Sequence, residues 1–407
     1  MEPSRGKSLC VPFESEEHYA ACVAEPASFR QHLTTVCGQH PELFPARISE
    51  GFVLHDKSWS LKQQVMLRRL EIKATAEVFL VRPSFLMPYM VGRTEAVEKA
   101  LYLRHWGVPF DALAYVFGRD AMYWYRTEMA LGRPAIVGST VKQPEKLPQH
   151  VLADEKHTWA LGHEVYVATT VGGGCILGAT VTDAASADAL EAAYGEFAEE
   201  ARALSPTYSP TTVCTDGWEG TQSAWRRLFP TVCIMLCFLH SVLKIAERCG
   251  RDRTTRTLVL DRVWAVYASC TRAQFSQRLR RLREWATAGL PEGALRQMVL
   301  KLCGKGPQFV RAYRFPGAHR TSNALDRLMN HQDRRLYAMG YLHGTPDAAC
   351  LAMRAMALEW NFHPYGARTR RNDPTRCSPF HDLNGFEYHP NWLHNLLIAS
   401  SMGGRKL

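Results

Sequence analysis

The chain has 407 residues, 46% of them hydrophobic and 22% charged, which is typical of a globular protein with two or three domains. Its formal net charge of +10 favours a polyanionic partner. The chain contains no apolar run of about 18 residues and no basic, apolar leader, which argues against a membrane-spanning or secreted protein. The twelve cysteines are therefore expected to be reduced thiols in the cytoplasm.

Residues 1–92 form an N-terminal region that is expected to be β-rich after about residue 52. Cys10, Cys22 and Cys37 lie too far apart for a metal knuckle. From Phe52 to Val91, β-branched and aromatic residues come in near alternation, which indicates strands. Basic residues are interleaved there, on a sheet face that either is solvated or follows a phosphate backbone.

Residues 93–135 contain three helical runs separated by Gly107-Val108-Pro109 and Gly118-Arg119. A small core is expected from Ala100, Leu103, Leu113, Val116 and Met122. Short helices around a tight glycine turn fit a helix-turn-helix, whose second helix enters the major groove of DNA. That recognition helix would run from about Arg119 to Met129. It would offer to DNA the side chains of Arg119, Tyr123, Trp124 and Arg126. The alternative is a helical hairpin with its aromatic face in the core.

Residues 136–150 carry prolines and polar residues without periodicity, which predicts a linker. Three β-rich runs follow, at residues 151–154, 165–171 and 175–181. The glycines at 172–174 are predicted to form a hairpin turn between the last two. An amphipathic helix at 186–204 and a short buried strand at 211–216 come next. This order predicts an α/β fold with a mixed sheet.

The segment from Lys244 to Arg283 is strongly basic, with one Lys and ten Arg against three acidic residues. Its density favours a nucleic-acid partner over a merely solvated helical face. The side chains expected to contact DNA there are Arg248, Arg251, Arg253, Arg256, Arg278, Arg280 and Arg281.

Two acidic residues, Asp154 and Asp216, are each predicted to end an apolar strand. Carboxylates that meet at one edge of a sheet repel each other, and a divalent cation removes that repulsion. Read singly, each residue fits an ordinary turn or loop. Glu155 points to the opposite face of its strand and is left out of the site.

A third acid lies on a helix predicted within residues 319–340, where polar residues recur at three- and four-residue steps. This polar stripe consists of Asn323, Asp326, Asn330 and Asp333, whereas Leu325, Leu328 and Leu336 face elsewhere. The alternative is that Asn323 only caps the helix and Asp326 only favours its first turn.

Together these residues resemble the DDE transposases of the Mutator type, which include bacterial insertion-sequence enzymes. That family has an acid on the first strand, Asp-Gly after the fourth, and a Glu on a later helix. Its second acid lies in a pattern matched here by Asp216-Gly217, Gly220, Phe229-Pro230, Cys237 and His240. Its third acid lies in a pattern matched by Thr321, Asn323 and Asp326, with Arg334 and Arg335 behind. Asp326 departs from the family, which usually has Glu.

The resemblance implies an RNase H-like catalytic domain in two parts, residues 151–245 and 319–365. An Arg-rich, all-helical insertion would occupy residues 246–318, and a basic loop and a closing helix would occupy residues 366–407. Asp154, Asp216 and Asp326 would hold two Mg²⁺ or Mn²⁺ ions. Gly217, Asn323, Cys237 and His240 would support the site, and Arg334 and Arg335 would contact DNA. A zinc site of Cys233, Cys237 and His240 is the rival interpretation of that pair, but a fourth ligand is lacking.

The resemblance also implies an activity. Water would cleave the DNA strand at an element's end, and the freed 3′-hydroxyl would then attack target DNA. Double-stranded DNA would be the partner of a homo-oligomer, expected to be a dimer on DNA, in the bacterial nucleoid. The alternatives are an RNase H-like nuclease without strand transfer and a domesticated or decayed DNA-binding protein without catalysis.

Overall fold

The protein has the predicted mixed α/β architecture, and its strands form two separate sheets. The computed structural model describes residues 8–160 and 162–404. Within those residues, no helix has both the length and the apolar character needed to cross a membrane.

The first sheet has four strands in the order β1-β4-β3-β2. Strands β2 (Phe52–Ser60), β3 (Val65–Ile72) and β4 (Val78–Pro83) form an antiparallel meander, and β1 (Ser8–Val11) joins β4 in parallel. Helices α1 (Glu16–Ala24) and α2 (Pro26–Gln39) lie between β1 and β2 in sequence. The β-rich stretch after residue 52 is thus confirmed, whereas β1 has no counterpart in the sequence-based prediction.

Three helices follow where helical runs are predicted: α3 (Thr94–His105), α4 (Phe110–Phe117) and α5 (Ala121–Leu131). The small core expected among them is mostly wrong, because Leu103, Val116 and Met122 are exposed. Instead α5 packs against a later helix, α15 (Pro346–Phe362). These helices therefore share a core with the rest of the chain.

The predicted linker at residues 136–150 is a packed part of the fold. It contains α6 (Ile136–Thr140), which contacts α7 (Ala187–Leu204). Val137 and Val141 are fully buried, and the backbone N–H of Val137 donates to Glu200 Oε2 at 2.8 Å. The prolines there mark turns within the fold.

The second sheet has five strands in the order β7-β6-β5-β8-β9. Strands β5 (His150–Ala160), β6 (His163–Gly172) and β7 (Cys175–Thr182) are antiparallel neighbours. Strands β8 (Thr212–Thr215) and β9 (Cys233–Leu236) run parallel to β5. Gly173 and Gly174 form the predicted hairpin turn at φ values of 59° and 81°, which glycine adopts without strain.

Helices cover both faces of this sheet. On one face, α7 and α8 (Glu219–Leu228) share a core with Val151 and Ala153 of β5. On the other, α14 (Asn323–Met339) and α15 share a core with Leu152. Alternate residues of β5 thus belong to different layers, as strand geometry requires.

Between β9 and α14 the chain forms an all-helical unit with its own apolar core. Its helices are α9 (Phe238–Arg248), α10 (Arg253–Tyr267), α11 (Arg272–Gly289), α12 (Ala294–Gly304) and α13 (Gly306–Phe309). The unit begins at α9, eight residues before the predicted boundary at residue 246. We call it the helical insertion.

After α15, three short helices close the structure: α16 (Ala367–Asn372), α17 (Pro379–Asn384) and α18 (Trp392–Ala399). The basic stretch is thus partly helical. Every residue of α18 is buried, as its apolar sequence predicts.

A fully buried network of four charges joins the N-terminal helices to α14 and α15. Glu128 of α5 accepts from Arg104 Nε at 2.6 Å and also pairs with Arg335 of α14. Arg335 in turn donates to Glu359 Oε2 of α15 at 2.6 Å. Burial alone would raise the pKa of Glu128, but the two guanidinium groups outweigh burial and lower it. The network therefore fixes α14 against α5 and α15.

We expect Glu128→Gln to lower the free energy of unfolding by about 3–5 kcal/mol, because it leaves two buried guanidinium groups without their shared carboxylate. Urea denaturation would measure the change. The matched control is Glu50→Gln, which breaks an exposed pair with Arg47 and should leave stability unchanged. Equal effects of the two changes would contradict the role given to the network.

Candidate active site

Asp154 lies within β5 and does not end it. The strand continues to Ala160 because it pairs with β6 throughout, so the expected strand end at Asp154 is wrong. The side chain is 14% exposed, and its Oδ1 accepts from the backbone N–H of Glu155 at 2.9 Å. Glu155 itself faces α7 and α8, where it accepts from Tyr194 and Thr221 at 2.6 and 2.7 Å. It thus faces away from Asp154, as predicted from strand geometry.

Asp216 follows β8 directly, as predicted. Its Oδ1 accepts from the backbone N–H of Trp218 at 2.7 Å, which closes a tight turn. Gly217 has a φ of 102°, and a Cβ there would lie 2.7 Å from Leu236 Cδ1. The positive φ is a conformation that glycine adopts without strain, so Gly217 allows the chain to turn sharply behind the carboxylate.

Asp326 lies in the first turn of α14. Both of its carboxylate oxygens are within reach of Ser322 Oγ, at 3.2 and 3.4 Å. Ser322, and not Asn323, occupies the position before the helix, and Asn323 is exposed as its first residue. Leu325, Leu328 and Leu336 are buried on the opposite side, as the predicted stripe requires. Farther along the stripe, Asp333 pairs with Lys156 of β5 at 2.6 Å.

Cys237 and His240 link these acids to one another. Cys237 follows β9, and its Sγ accepts from the backbone N–H of Ser322 at 3.2 Å and lies 3.3 Å from Ser322 Oγ. His240 lies in the first turn of α9, with Nε2 3.9 Å from Asp154 Oδ2. The Cys-x-x-His spacing thus places a sulfur near Asp326 and an imidazole beside Asp154.

The protonation of this cluster differs from that of free side chains. Burial and the neighbouring carboxylates of Asp216 and Glu155 raise the pKa of Asp154 to about 7. The adjacent Cys214 thiol, His240 and Ser322 lower the pKa of Cys237 to about 3, against burial.

The neighbouring Cys237, through hydrogen bonding and charge, and the carboxylates of Asp154 and Asp216 raise the pKa of His240 to about 9, also against burial. At neutral pH an imidazolium–thiolate pair therefore lies beside Asp154, whose own carboxyl is partly protonated.

Within residues 8–160 and 162–404, no group of three or more His, Cys, Asp or Glu side chains is clustered closely enough to hold a metal ion. Cys233, at the start of β9, therefore does not complete a zinc set with Cys237 and His240. Asp154, Asp216 and Asp326 are likewise not gathered into such a group in this structure. They do supply the hard oxygen donors that Mg²⁺ and Mn²⁺ prefer. The raised pKa of Asp154 also fits a cation, since a divalent ion would replace its proton.

The residues predicted to contact DNA differ in their exposure. Trp124 and Arg335 are buried, so their predicted contacts with DNA are wrong in this structure. Trp124 donates Nε1–H to Gly118 O at 3.0 Å, and Tyr123 is half-buried. The exposed members are Arg119, Arg126, Arg248, Arg251, Arg253, Arg256, Arg278, Arg280, Arg281 and Arg334.

Sequence reasoning missed three residues of this region. Ser322 contacts both Cys237 and Asp326. Its position between Thr321 and Asn323, two residues of the third motif, could have indicated its role. Cys214 precedes Asp216 by two positions in an extended segment, so strand periodicity puts both on one face. Lys305 lies near enough to Asp216 to feel its charge, and no motif pointed to it.

Comparison with protein-family models and with curated protein sequences finds no match for this chain.

We expect the imidazole of His240 to titrate with a pKa of about 9 in the native protein. NMR titration of the histidine ring nitrogens would measure it, with the signal assigned through His240→Gln. Since a raised pKa stabilises the folded state, this contribution is complete below pH 6.5 and is lost as the pH rises through about 9.

Cys237→Ser should bring the pKa of His240 down toward its ordinary value of 6.5, because it removes the thiolate. Cys175→Ser changes a fully buried thiol on the other face of the sheet and should leave that pKa at about 9. A pKa near 6.5 in the native protein would show that no ion pair exists.

Proposed function

We propose that this protein is a DNA transposase of the Mutator type with an RNase H-like catalytic domain. One observation carries the proposal. Asp154 lies on the first strand of the five-stranded sheet, Asp216 directly follows the fourth, and Asp326 lies on a helix after an all-helical insertion. This is the order of acids that the resemblance implies.

In the proposed reaction Asp154, Asp216 and Asp326 would hold the divalent metal. A bound Mg²⁺ or Mn²⁺ pair would activate the attacking oxygen and stabilise the leaving oxygen of the phosphodiester. The three carboxylates come from separate elements that are fixed by sheet pairing, by the turn at Gly217 and by the buried network behind α14. The protein's own contribution is therefore positioning, which is most of what phosphoryl transfer requires of an enzyme.

His240 and Cys237 would tune the charge of the site. The imidazolium lies beside Asp154 and lowers the pKa of that carboxyl against the effect of burial. The thiolate balances the positive charge of the imidazolium. It also accepts a hydrogen bond from the backbone N–H of Ser322, the residue before α14. The pair would thus favour ionised carboxylates before metal and DNA arrive.

Double-stranded DNA is the proposed partner, bound by a homo-oligomer. The Arg residues of the helical insertion support this, because all seven of those predicted to bind DNA are exposed. A surface of this kind gives affinity that falls steeply as salt rises. Arg119 and Arg126 would add contacts from the α4–α5 region.

We expect the purified protein with Mn²⁺ to cleave and join labelled DNA that carries the ends flanking its gene. Asp216→Asn and Asp326→Asn should each reduce cleavage by about a hundredfold or more, because each removes a group that positions the reacting atoms. Asp333→Asn is the matched control on α14. It breaks the pair with Lys156 and should leave cleavage intact.

Other outcomes would replace this proposal. Cleavage that survives Asp326→Asn but not Asp333→Asn would make Asp333 the third ligand. Cleavage without joining of a pre-cut end would indicate a nuclease. Salt-sensitive binding without cleavage under Mg²⁺ or Mn²⁺ would indicate a DNA-binding protein that has lost its chemistry, for which Asp326 in place of Glu would be the first explanation.

A further inference from the structure

Three lysines of the helical insertion lie near one another on the side of the site that holds Asp216. Lys244 is on α9, Lys301 is on α12, and Lys305 directly follows α12. Helices α9 and α12 pack against each other, and α13, which begins directly after Lys305, packs against β9. Strand β9 is the neighbour of β8, which Asp216 follows. The fold therefore brings this lysine cluster to the edge of the candidate active site.

Lys244 also belongs to the helix face that reaches the acids. It follows His240 by four residues, so the two side chains are neighbours on α9. His240 Nε2 lies 3.9 Å from Asp154 Oδ2. Lys301 and Lys305 have the same four-residue spacing on the adjoining helix.

None of the three ammonium groups has an ion-pair or hydrogen-bond partner within the described residues. Glu247 is three residues from Lys244 and forms no ion pair with it. Burial and the charges of Lys244 and Lys301 lower the pKa of Lys305, and only Asp216 opposes them. Like charges held together without a counterion raise the energy of the free protein, and an anionic ligand relieves this.

We propose that Lys244, Lys301 and Lys305 bind the phosphodiester backbone of DNA beside Asp216. This inference rests on the proposed function and names the part of the site that receives the substrate strand. Lysine binds phosphate as a point charge without reading the base, so the contact does not depend on sequence. The strand would run from the carboxylates over α9 and α12 into the helical insertion, where the exposed Arg residues continue the positive surface.

The test measures binding without cleavage, so it does not depend on the chemistry. A short labelled DNA duplex is titrated with the full-length protein in metal-free buffer over a range of salt concentrations. The triple variant Lys244→Gln, Lys301→Gln and Lys305→Gln should flatten the slope of log affinity against log salt. The expected change is about 0.9 for each phosphate that the variant no longer neutralises, or about 2 to 3 in total.

The control removes the same charge elsewhere. Arg47, Lys146 and Arg226 are exposed cations outside the helical insertion and outside every segment predicted to contact DNA, and their triple change to Gln should leave the slope at its wild-type value. Changing the three cluster lysines to Arg should restore the slope, which separates the effect of charge from misfolding.

Equal slopes for the cluster variant and the wild type would overturn the lysine site, whatever the protein cleaves. A flattened slope only in the cluster variant would support it. Wild-type cleavage with an unchanged slope would leave the proposed function standing without this contact. A flattened slope in a protein that never cleaves would leave the DNA contact standing without the transposase.

Discussion

The buried network of Arg104, Glu128, Arg335 and Glu359 is the interaction on which the arrangement of the site depends. Charges with no exposed surface are held only where each finds its partner, so the helices that carry them cannot slide independently. Arg335 lies on α14, nine residues beyond Asp326, and the network therefore sets where that carboxylate stands relative to the sheet. A polar contact deep in the protein thus determines the geometry of an acid near its surface.

A second link joins the acids to one another. Ser322 contacts Asp326 through its hydroxyl and Cys237 through its backbone, so the end of β9 and the start of α14 meet at one residue. In the sequence, the helical insertion lies between the end of β9 and the start of α14. It forms its own core, and both of its ends return to this junction. The junction is why an insertion of that size does not separate the third acid from the first two.

Local signals in the sequence predicted much of this. The glycines at 172–174, the amphipathic pattern of α7 and the Asp216-Gly217 turn each depend on neighbours within a few residues. Some predictions about single side chains and about one strand end were wrong. Trp124 is buried with its ring beside Phe117 of α4, and Arg335 finds its carboxylates on α5 and α15. β5 continues past Asp154 because it pairs with β6 as far as Ala160, and no pattern within β5 alone reveals that partner.

The packing of α5 would fix the distance along bound DNA between the arginines near this helix and the three aspartates. Arg119 precedes α5 and Arg126 lies on it. Helix α5 shares one hydrophobic core with the sheet that carries Asp154. A duplex gripped by these arginines would reach the carboxylates at a set number of base pairs from the grip. The cleavage position would then be set by its distance from the bound sequence. If one base pair were inserted between the bound sequence and the normal cleavage position, the cut would stay at the same distance from the bound sequence and would fall one base pair away from its normal position in the DNA.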